Sequence, residues 1–322
     1  MDIVQGGGAF ISSIVSWKVL ALILALINIK NIPLSWHLRL LYAFLGNMRF
    51  KLDSPVFPPG TPLIDSNGRP THPIFVPYGT TTRTPFLESD YNLHKSNSTY
   101  FSDLDVARTT LVVRLYTPGI YIASKEVDRE LLAAKQAGDD KGKATHMNKY
   151  VNVAVGSVYC AFKREVKPFE LYQVQSKIIA WDHKWLYIMS FFLRPAAKKG
   201  MKQTLLAAAL TKYVVKKGRL TISPARVLRA NGLLPPLPEG MSDESLSVEQ
   251  FDDDDERVRN VVSLNADEIP DISPELAERV KANAELGSSW TYGMIEQERR
   301  RGLQVVAGYA NLDARVFAEW EG

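Results

Sequence analysis

The sequence has very little cysteine, with one residue, Cys160, in 322 positions. A single cysteine excludes an intrachain disulfide and a zinc site built on paired cysteines. Such a chain folds without covalent cross-links and is typical of a reducing compartment. A G-x-S-x-G segment is missing, which disfavours a serine hydrolase with a nucleophile elbow. Arg-rich helices, fingers and RNA-binding aromatic motifs are missing too, so no nucleic-acid partner is expected.

The charge is divided unevenly along a chain of ordinary globular composition. Residues 1–222 carry 29 basic and 15 acidic residues, whereas residues 223–322 carry 10 basic and 20 acidic residues. A basic body with an acidic tail suits an anionic ligand or an anionic membrane surface. The acidic run at 251–256 predicts a solvated loop.

The N-terminal region is apolar enough to meet a membrane. Ala9–Ile29 contains one charge, Lys18, and is long enough to span a bilayer core of about 30 Å. Ser35 is placed to cap a second apolar helix, Trp36–Leu45, whose composition is typical of a membrane interface. We expect residues 1–52 to be an uncleaved single-pass anchor with an interfacial helix. The alternatives are an interfacial helix alone, a cleaved signal or transit peptide, and helices buried in a soluble core.

The next part of the chain predicts a linker followed by one long helix. Residues 53–72 are rich in proline, glycine and threonine, which is typical of a linker. A short strand is expected at Pro73–Tyr78. A helix over Ser96–Tyr116, capped by Ser96 or Ser98, has apolar residues at helical spacing and should bury one face. The charged stretch Lys125–Lys149 predicts a surface excursion.

Alternating apolar residues predict antiparallel strands after position 150. The first, Val151–Phe162, contains Gly156, which shifts the apolar phase and indicates a bulge. Phe169–Trp181 and Lys184–Leu193 predict a hairpin, and Gln203–Lys216 predicts a fourth strand. One long helix against an antiparallel sheet is an α+β arrangement.

From residue 223 to 322 the sequence predicts an acidic C-terminal extension with irregular helical pieces. These pieces are expected at Ala225–Ala230, Pro274–Glu285 and Thr291–Ala307.

The residues that carry chemistry are Asp90, Asn92 and His94, which alternate directly before the long helix. In an extended segment they would face the same side. Backbone N–H groups near Ser96 and Asn97, at the helix N-terminus, could hold an oxyanion. A carboxylate, an amide and an imidazole beside such a site suit acyl transfer or hydrolysis. The alternative is a polar turn that caps a helix.

The pattern D-x-N-x-H-x-x-N-x-x-Y, followed by an amphipathic helix, resembles the hot-dog-fold thioesterases. It is similar to the plant acyl-carrier-protein thioesterases, and the fold resembles the 4-hydroxybenzoyl-CoA thioesterase-like group. With its N-terminal region, the chain resembles the membrane-anchored thioesterase-superfamily-member-six-like proteins and their fungal relatives. The likeness covers roughly Pro73–Lys217 and implies a single hot-dog domain over residues 73–222. It departs at Ser96, where asparagine is common.

The resemblance also implies roles for particular residues. Asp90, Asn92 and His94 match functional residues, and Glu165 matches a glutamate on a later strand of the family. A carboxylate, Asp90 or Glu165, would activate water or attack directly, while His94 and Asn92 would orient the water or stabilise the oxyanion. The family's pairing implies a homodimer with its sites at the interface, where Glu165 could come from the opposite subunit. No metal and no cofactor are expected.

Three cations next to Glu165, namely Lys163, Arg164 and Lys167, are candidates for binding the phosphates of coenzyme A or phosphopantetheine. An exposed strand end is the alternative for them. Cys160 lies on the apolar phase of its strand and is expected in the core rather than as a nucleophile.

The expected function is hydrolysis of acyl-CoA or acyl-carrier-protein thioesters at a membrane, in lipid or secondary-metabolite biosynthesis. The expected location is the endoplasmic reticulum membrane, with the domain in the cytosol. The alternatives are a non-catalytic acyl-binding or membrane scaffold protein and a hot-dog dehydratase.

Overall fold

The computed structural model describes residues 17–65, 68–136, 151–196, 198, 201–218, 220–236, 290–310 and 312–321. The predicted helix Pro274–Glu285 and the acidic run at 251–256 lie outside these residues. Residues 9–16 of the predicted apolar span do so as well. Among the described residues, no helix is both long and apolar enough to cross a bilayer.

An antiparallel sheet forms the centre of the fold. Its strands are β1 Tyr78–Arg83, β2 Val151–Phe162, β3 Leu171–Trp181, β4 Trp185–Arg194, β5 Thr204–Lys217 and β6 Leu220–Ile222. The spatial order is β1-β3-β4-β5-β2, and β6 pairs with the end of β5. The predicted hairpin and fourth strand are therefore confirmed as β3, β4 and β5.

The bulge predicted in β2 is present where the sequence placed it. The register between β2 and β5 shifts between Val155 and Ser157, on either side of Gly156. A Cβ atom at position 156 would lie 2.4 Å from the indole ring of Trp185. The glycine therefore leaves the space that the indole ring occupies.

The short strand predicted at Pro73–Tyr78 is wrong. Pro73–Phe75 forms a 3₁₀ turn, and β1 starts only at Tyr78. Pro73 and Pro77 have no N–H to donate to a strand partner, which keeps this stretch out of the sheet.

The described helices flank the sheet. They are α1 Trp17–Ile27, α2 Ser35–Asn47, α3 Tyr100–Tyr116, α4 Gly119–Gln136, α5 Pro224–Ala230, α6 Tyr292–Ala310 and α7 Leu312–Glu321. Leu111 and Leu115 of α3 share a buried cluster with Ile188 on one face of the sheet. Val306 of α6 shares another with Tyr187 on the opposite face. Helix, sheet and helix thus form three layers.

Two expectations about helices need correction. Ser35 is the first residue of α2 and makes no side-chain cap, because the preceding Leu34 turns the chain with φ of 67°. The predicted surface excursion is wrong over its first part, where α4 runs through to Gln136. Two of its polar residues are buried, Ser124 and Asp128, and Lys217 of β5 pairs with Asp128 and donates to Ser124 Oγ (2.7 Å). The rest of the predicted excursion, residues 137–149, lies outside the described residues.

Candidate functional site

The segment carrying Asp90, Asn92 and His94 is a tight turn, so the expected extended conformation is wrong. The N–H of Asp90 donates to the carbonyl of His94 (2.9 Å), and Leu93 has φ of 59°. The N–H of Asn92 donates to the Asp90 carboxylate (2.9 Å). An aspartate side chain that accepts the backbone N–H two residues ahead favours a turn rather than a strand.

The turn still brings Asp90 and His94 together. Asp90 Oδ2 lies 3.4 Å from His94 Nδ1, and each side chain is about one-quarter exposed. A proton on Nδ1 that points at the carboxylate leaves Nε2 as the basic nitrogen. Asn92 is exposed at the tip of the turn and does not reach the groove described next.

Six of the candidate residues meet in an open groove of about 540 Å³, namely His94, Asn97, Lys163, Arg164, Glu165 and Lys167, whereas Asp90 and Ser96 do not line it. It lies between the start of α3 and the connection that joins β2 to β3. It is lined by His94, Lys95, Asn97, Tyr100, Phe162, Lys163, Arg164, Glu165, Lys167 and Arg194. Residues about 70 positions apart in the sequence, His94 and Glu165, therefore share one cavity.

Of the two N–H groups expected to be free at the helix start, that of Asn97 is free among the described residues and that of Ser96 is not. Ser96 donates its N–H to the carbonyl of Glu88 (2.7 Å), so this group is unavailable to a ligand. The 3₁₀ turn Asn97–Thr99 precedes α3. Within the part of the chain that the structure describes, the N–H groups of Asn97 and Ser98 have no acceptor. Of the two residues with an unpaired N–H, Asn97 lines the groove and Ser98 does not.

Glu165 lies in the β2–β3 connection and not on a strand. β2 ends at Phe162 because the next two N–H groups, of Lys163 and Arg164, both donate to the carbonyl of Leu206 (2.8 and 2.9 Å). The Glu165 side chain is exposed, and its carbonyl accepts from Arg194 Nη2 (3.0 Å). The N–H of Lys95 donates to the carbonyl of Val166 (2.8 Å). This bond joins the His94 turn to the Glu165 connection.

Cations surround the groove opening. The side chains of Lys163, Arg164 and Lys167 are exposed at its rim. Arg194, which the sequence analysis did not single out, pairs with Glu170. Partial burial alone would raise the pKa of Glu170, but the hydrogen bonds from Arg194 and from the Lys167 N–H lower it. Arg194 therefore fixes the connection while adding a fourth positive charge.

Aromatic rings lie beneath the groove. Tyr100 packs edge-on against Phe162 (4.9 Å between centroids) and Phe192 (4.8 Å). Tyr100 closes the D-x-N-x-H-x-x-N-x-x-Y motif, but no place at the groove was predicted for it. Burial raises the pKa of the half-buried Cys160 thiol to about 11, which suits the expected core role and disfavours a thiolate.

The sequence of this chain is similar to those of known thioesterases. The model of the thioesterase-like superfamily matches residues 84–279. Thioesterase lcsJ of Purpureocillium lilacinum is 33% identical over 98% of this chain and 98% of its own length. The probable thioesterase atnL of Emericella nidulans is 35% identical over 68% of this chain and 72% of its own length.

Solved structures are similar over about half of the chain. 4-Hydroxybenzoyl CoA thioesterase is 14% identical with a TM-score of 0.34, covering 48% of this chain and 97% of that one. The dynemicin thioesterase is 16% identical with a TM-score of 0.34, covering 48% of this chain and 95% of that one. Because the family model spans well over half of the chain and relatives align at a third identity, this chain belongs to the thioesterase-like superfamily.

Proposed function

We propose that this thioester hydrolase cleaves acyl thioesters of coenzyme A or of a phosphopantetheine-bearing carrier protein to the free acid and the thiol. One observation carries the proposal. His94, Glu165 and Asn97 line the same groove, and the N–H of Asn97 has no acceptor among the described residues. A base, a carboxylate and an oxyanion donor are the groups that hydrolysis of an acyl carbonyl requires.

The chemistry follows from these positions. The N–H groups of Asn97 and Ser98 polarise the thioester carbonyl, whose oxygen becomes negative as water adds. Glu165 or the Nε2 atom of His94 takes a proton from that water, while Asp90 orients the imidazole through Nδ1. Collapse of the adduct breaks the C–S bond, and the thiolate leaves and takes up the proton. Asn92 supports the turn through its backbone.

The walls of the groove suggest how the substrate lies. Lys163, Arg164 and Lys167 at the rim suit the phosphates of coenzyme A or phosphopantetheine. Tyr100 and Phe162 offer an apolar floor to the acyl group. The acyl chain therefore enters towards α3 while the carrier stays at the surface. The pathway, in lipid or secondary-metabolite biosynthesis, is part of this proposal.

A homodimer completes the proposal. No described strand pairs with the outer edge of β2, which exposes Val155 and Tyr159. Pairing of two β2 edges would continue the sheet across two copies. Light scattering should give a dimer mass, and a Val155→Lys/Tyr159→Lys variant should give a monomer. A wild-type monomer at working concentration would contradict this part.

The N-terminal segment is proposed to bind a membrane, that of the endoplasmic reticulum, with the groove in the cytosol. In α1, Leu20, Leu22 and Leu26 are each more than half exposed, and such a run of apolar surface needs a partner. The full chain should float with phosphatidylcholine vesicles, and a Leu22→Glu/Leu26→Glu variant should not. Equal flotation of both proteins would overturn this part.

The activity is tested by thiol release from a panel of acyl-CoA and acyl-carrier thioesters, using the full chain. His94→Ala and Glu165→Gln should lower kcat by about 100-fold, the scale of a lost acid–base group. Glu130→Gln, an exposed carboxylate on α4, is the matched control and should keep wild-type rates.

Two outcomes would contradict the proposed hydrolysis of thioesters in the groove. If the folded wild type releases no thiol from any donor, an acyl-binding or scaffold role takes its place. If the wild type is active but both groove variants retain full rates, the reaction occurs elsewhere. Hydration of an enoyl thioester without thiol release would indicate dehydratase chemistry instead.

A further inference from the structure

A buried group of charges lies behind the turn that carries Asp90 and His94, which is called the catalytic turn below. It consists of Lys30, Glu88, Lys95 and Asp103, and is called the ionic cluster below. The side chains of Glu88, Lys95 and Asp103 are no more than 3% exposed, and that of Lys30 is 10% exposed. Lys30 Nζ lies 3.0 Å from Glu88 and 2.8 Å from Asp103. Lys95 Nζ contacts the same two carboxylates at 2.5 and 3.1 Å.

Among the buried side chains alone, the ionic cluster is electrically balanced when Lys30 is present. Two carboxylates face two ammonium groups, and the Tyr172 hydroxyl donates to Asp103 (2.5 Å). Arg39, one-quarter exposed, adds a peripheral contact to Asp103 (2.9 Å). Burial alone would raise the pKa of Asp103, but Lys95 and Lys30 lower it below its ordinary value. Without Lys30, one buried negative charge would have no buried cation.

Lys30 reaches the cluster from the N-terminal segment and not from the hot-dog domain. Asn28 fixes this segment by accepting the N–H of Leu87 (2.8 Å). Lys30 Nζ also donates to the carbonyl of Arg83 (3.2 Å). The residues that follow the apolar helix α1 are thereby tied to the chain just before the catalytic turn.

Two residues of the cluster are also the two ends of that turn. Glu88 accepts the N–H of Ser96 through its carbonyl, and Lys95 donates its N–H to Val166, next to Glu165. Ser89 and Lys95 form a β-bridge that closes the loop. The side chain of Lys95 points into the cluster, while the neighbouring His94 and Asn97 line the groove. A shift of Glu88 or Lys95 would therefore move the candidate base and the oxyanion donor together.

We propose that Lys30 is a positioning residue, through which the N-terminal segment holds the catalytic turn in its working geometry. This inference rests on the proposed function for its catalytic consequence. The N-terminal segment would then be part of the active unit as well as a membrane contact. A displacement of about 1 Å at reacting groups can cost on the order of 100-fold in rate.

A charge-rescue experiment on the full chain tests this role. Lys30→Met and Glu88→Gln each unbalance the cluster and should lower kcat by about tenfold or more, with KM changed less. The Lys30→Met/Glu88→Gln double variant leaves Lys95 paired with Asp103 and should recover much of kcat. Lys51→Met, an exposed lysine of the same region, is the control and should behave as wild type.

Amide hydrogen exchange supplies a readout that needs no activity. The N–H groups of Lys95 and Ser96 should exchange faster in Lys30→Met and return towards wild-type rates in the double variant. If wild type proves inactive on every thioester, the exchange data still test the positioning role while the proposed function fails.

Each outcome either supports or overturns the positioning role of Lys30. The inference is overturned if Lys30→Met keeps both kcat and amide protection within twofold of wild type. It is also overturned if the double variant is no better than the worse single variant, or if both Lys30 variants fail to fold. If only Lys30→Met fails to fold and the double variant folds and is active, balance of charge is confirmed as the requirement.

Discussion

His72 is a buried imidazole that stays neutral. It packs against the rings of Phe75 (6.4 Å between centroids) and Trp290 (6.0 Å), and its Nδ1 atom accepts the N–H of Ile74. Burial lowers its pKa from 6.5 to about 4. Below pH 6.5 the His72 imidazole therefore binds a proton in the unfolded chain but stays neutral in the folded chain. The free energy of unfolding consequently falls as the pH falls.

We predict that this residue removes about 3 kcal/mol of folding stability between pH 6.5 and pH 4. His72→Asn keeps an acceptor for Ile74 but cannot take up the proton. Its free energy of unfolding, measured with urea across this range, should change less with pH than that of wild type. His37→Asn, at an exposed histidine, should keep the wild-type slope, and parallel slopes for all three proteins would contradict the assignment.

Single residues show where the sequence was and was not informative. His94 and Glu165 could be matched to a family motif, and both line the groove. The position of Asn92 could not be read from alternation, because the Asp90 side chain bonds the backbone locally and bends the chain. Lys95 stands beside His94 in the sequence, yet nothing in the sequence shows that it points into a buried pair of carboxylates.

Helix α6 depends on a glycine where it crosses β3. A Cβ atom at Gly302 would lie 1.8 Å from the carbonyl oxygen of Ile179, which belongs to the backbone and cannot move aside. Gly308, six residues later in the same helix, has open space around it. The two glycines thus offer opposite responses to the same substitution.

We predict that Gly302→Ala destabilises the protein by about 1–3 kcal/mol, because α6 must lift away from the buried Val306 contact. Gly308→Ala should instead stabilise it by about 0.5–1 kcal/mol through helix propensity. Thermal unfolding of both variants checks this. A neutral Gly302→Ala would mean that α6 does not pack against β3 in solution.

At the level of elements, alternating apolar residues and the position of Gly156 predicted strands β2 to β5, because each of these strands packs against a core. Helix α4 was missed because its charges suggested exposure, whereas Asp128 and Ser124 are tied to Lys217 of β5. That pairing joins residues about 90 positions apart, and local periodicity carries no information about it.

The whole molecule includes its N-terminal segment. Lys30 and Arg39 reach Asp103, and Arg49 donates to the carbonyls of Leu52, Ser54 and Arg114. The contacts to Asp103, Ser54 and Arg114 cross the boundary at residue 52 that composition predicted. Composition shows where the chain becomes polar. It does not show the contacts between distant residues that join the N-terminal segment to the rest of the fold.

We predict that a chain starting at residue 28 keeps the thermal stability of the full protein. A chain starting at residue 53 should unfold at markedly lower temperature and lose thiol release, because it leaves the Glu88 and Asp103 carboxylates with Lys95 alone. Circular dichroism melts of the two truncated chains measure this. Equal melting temperatures would show that the N-terminal segment is dispensable for the fold.

The rim cations and the ionic cluster respond differently to ionic strength. Lys163, Arg164 and Lys167 are exposed, and charges in water are screened beyond about 8 Å at physiological salt. The Lys30 and Lys95 pairs are buried and are screened much less. Under the proposed function, added salt should weaken capture of a phosphate-bearing thioester and raise KM, while the turn that carries His94 keeps its geometry and kcat is preserved. The rim alone would then make the rate of the enzyme depend on the ionic composition around the groove.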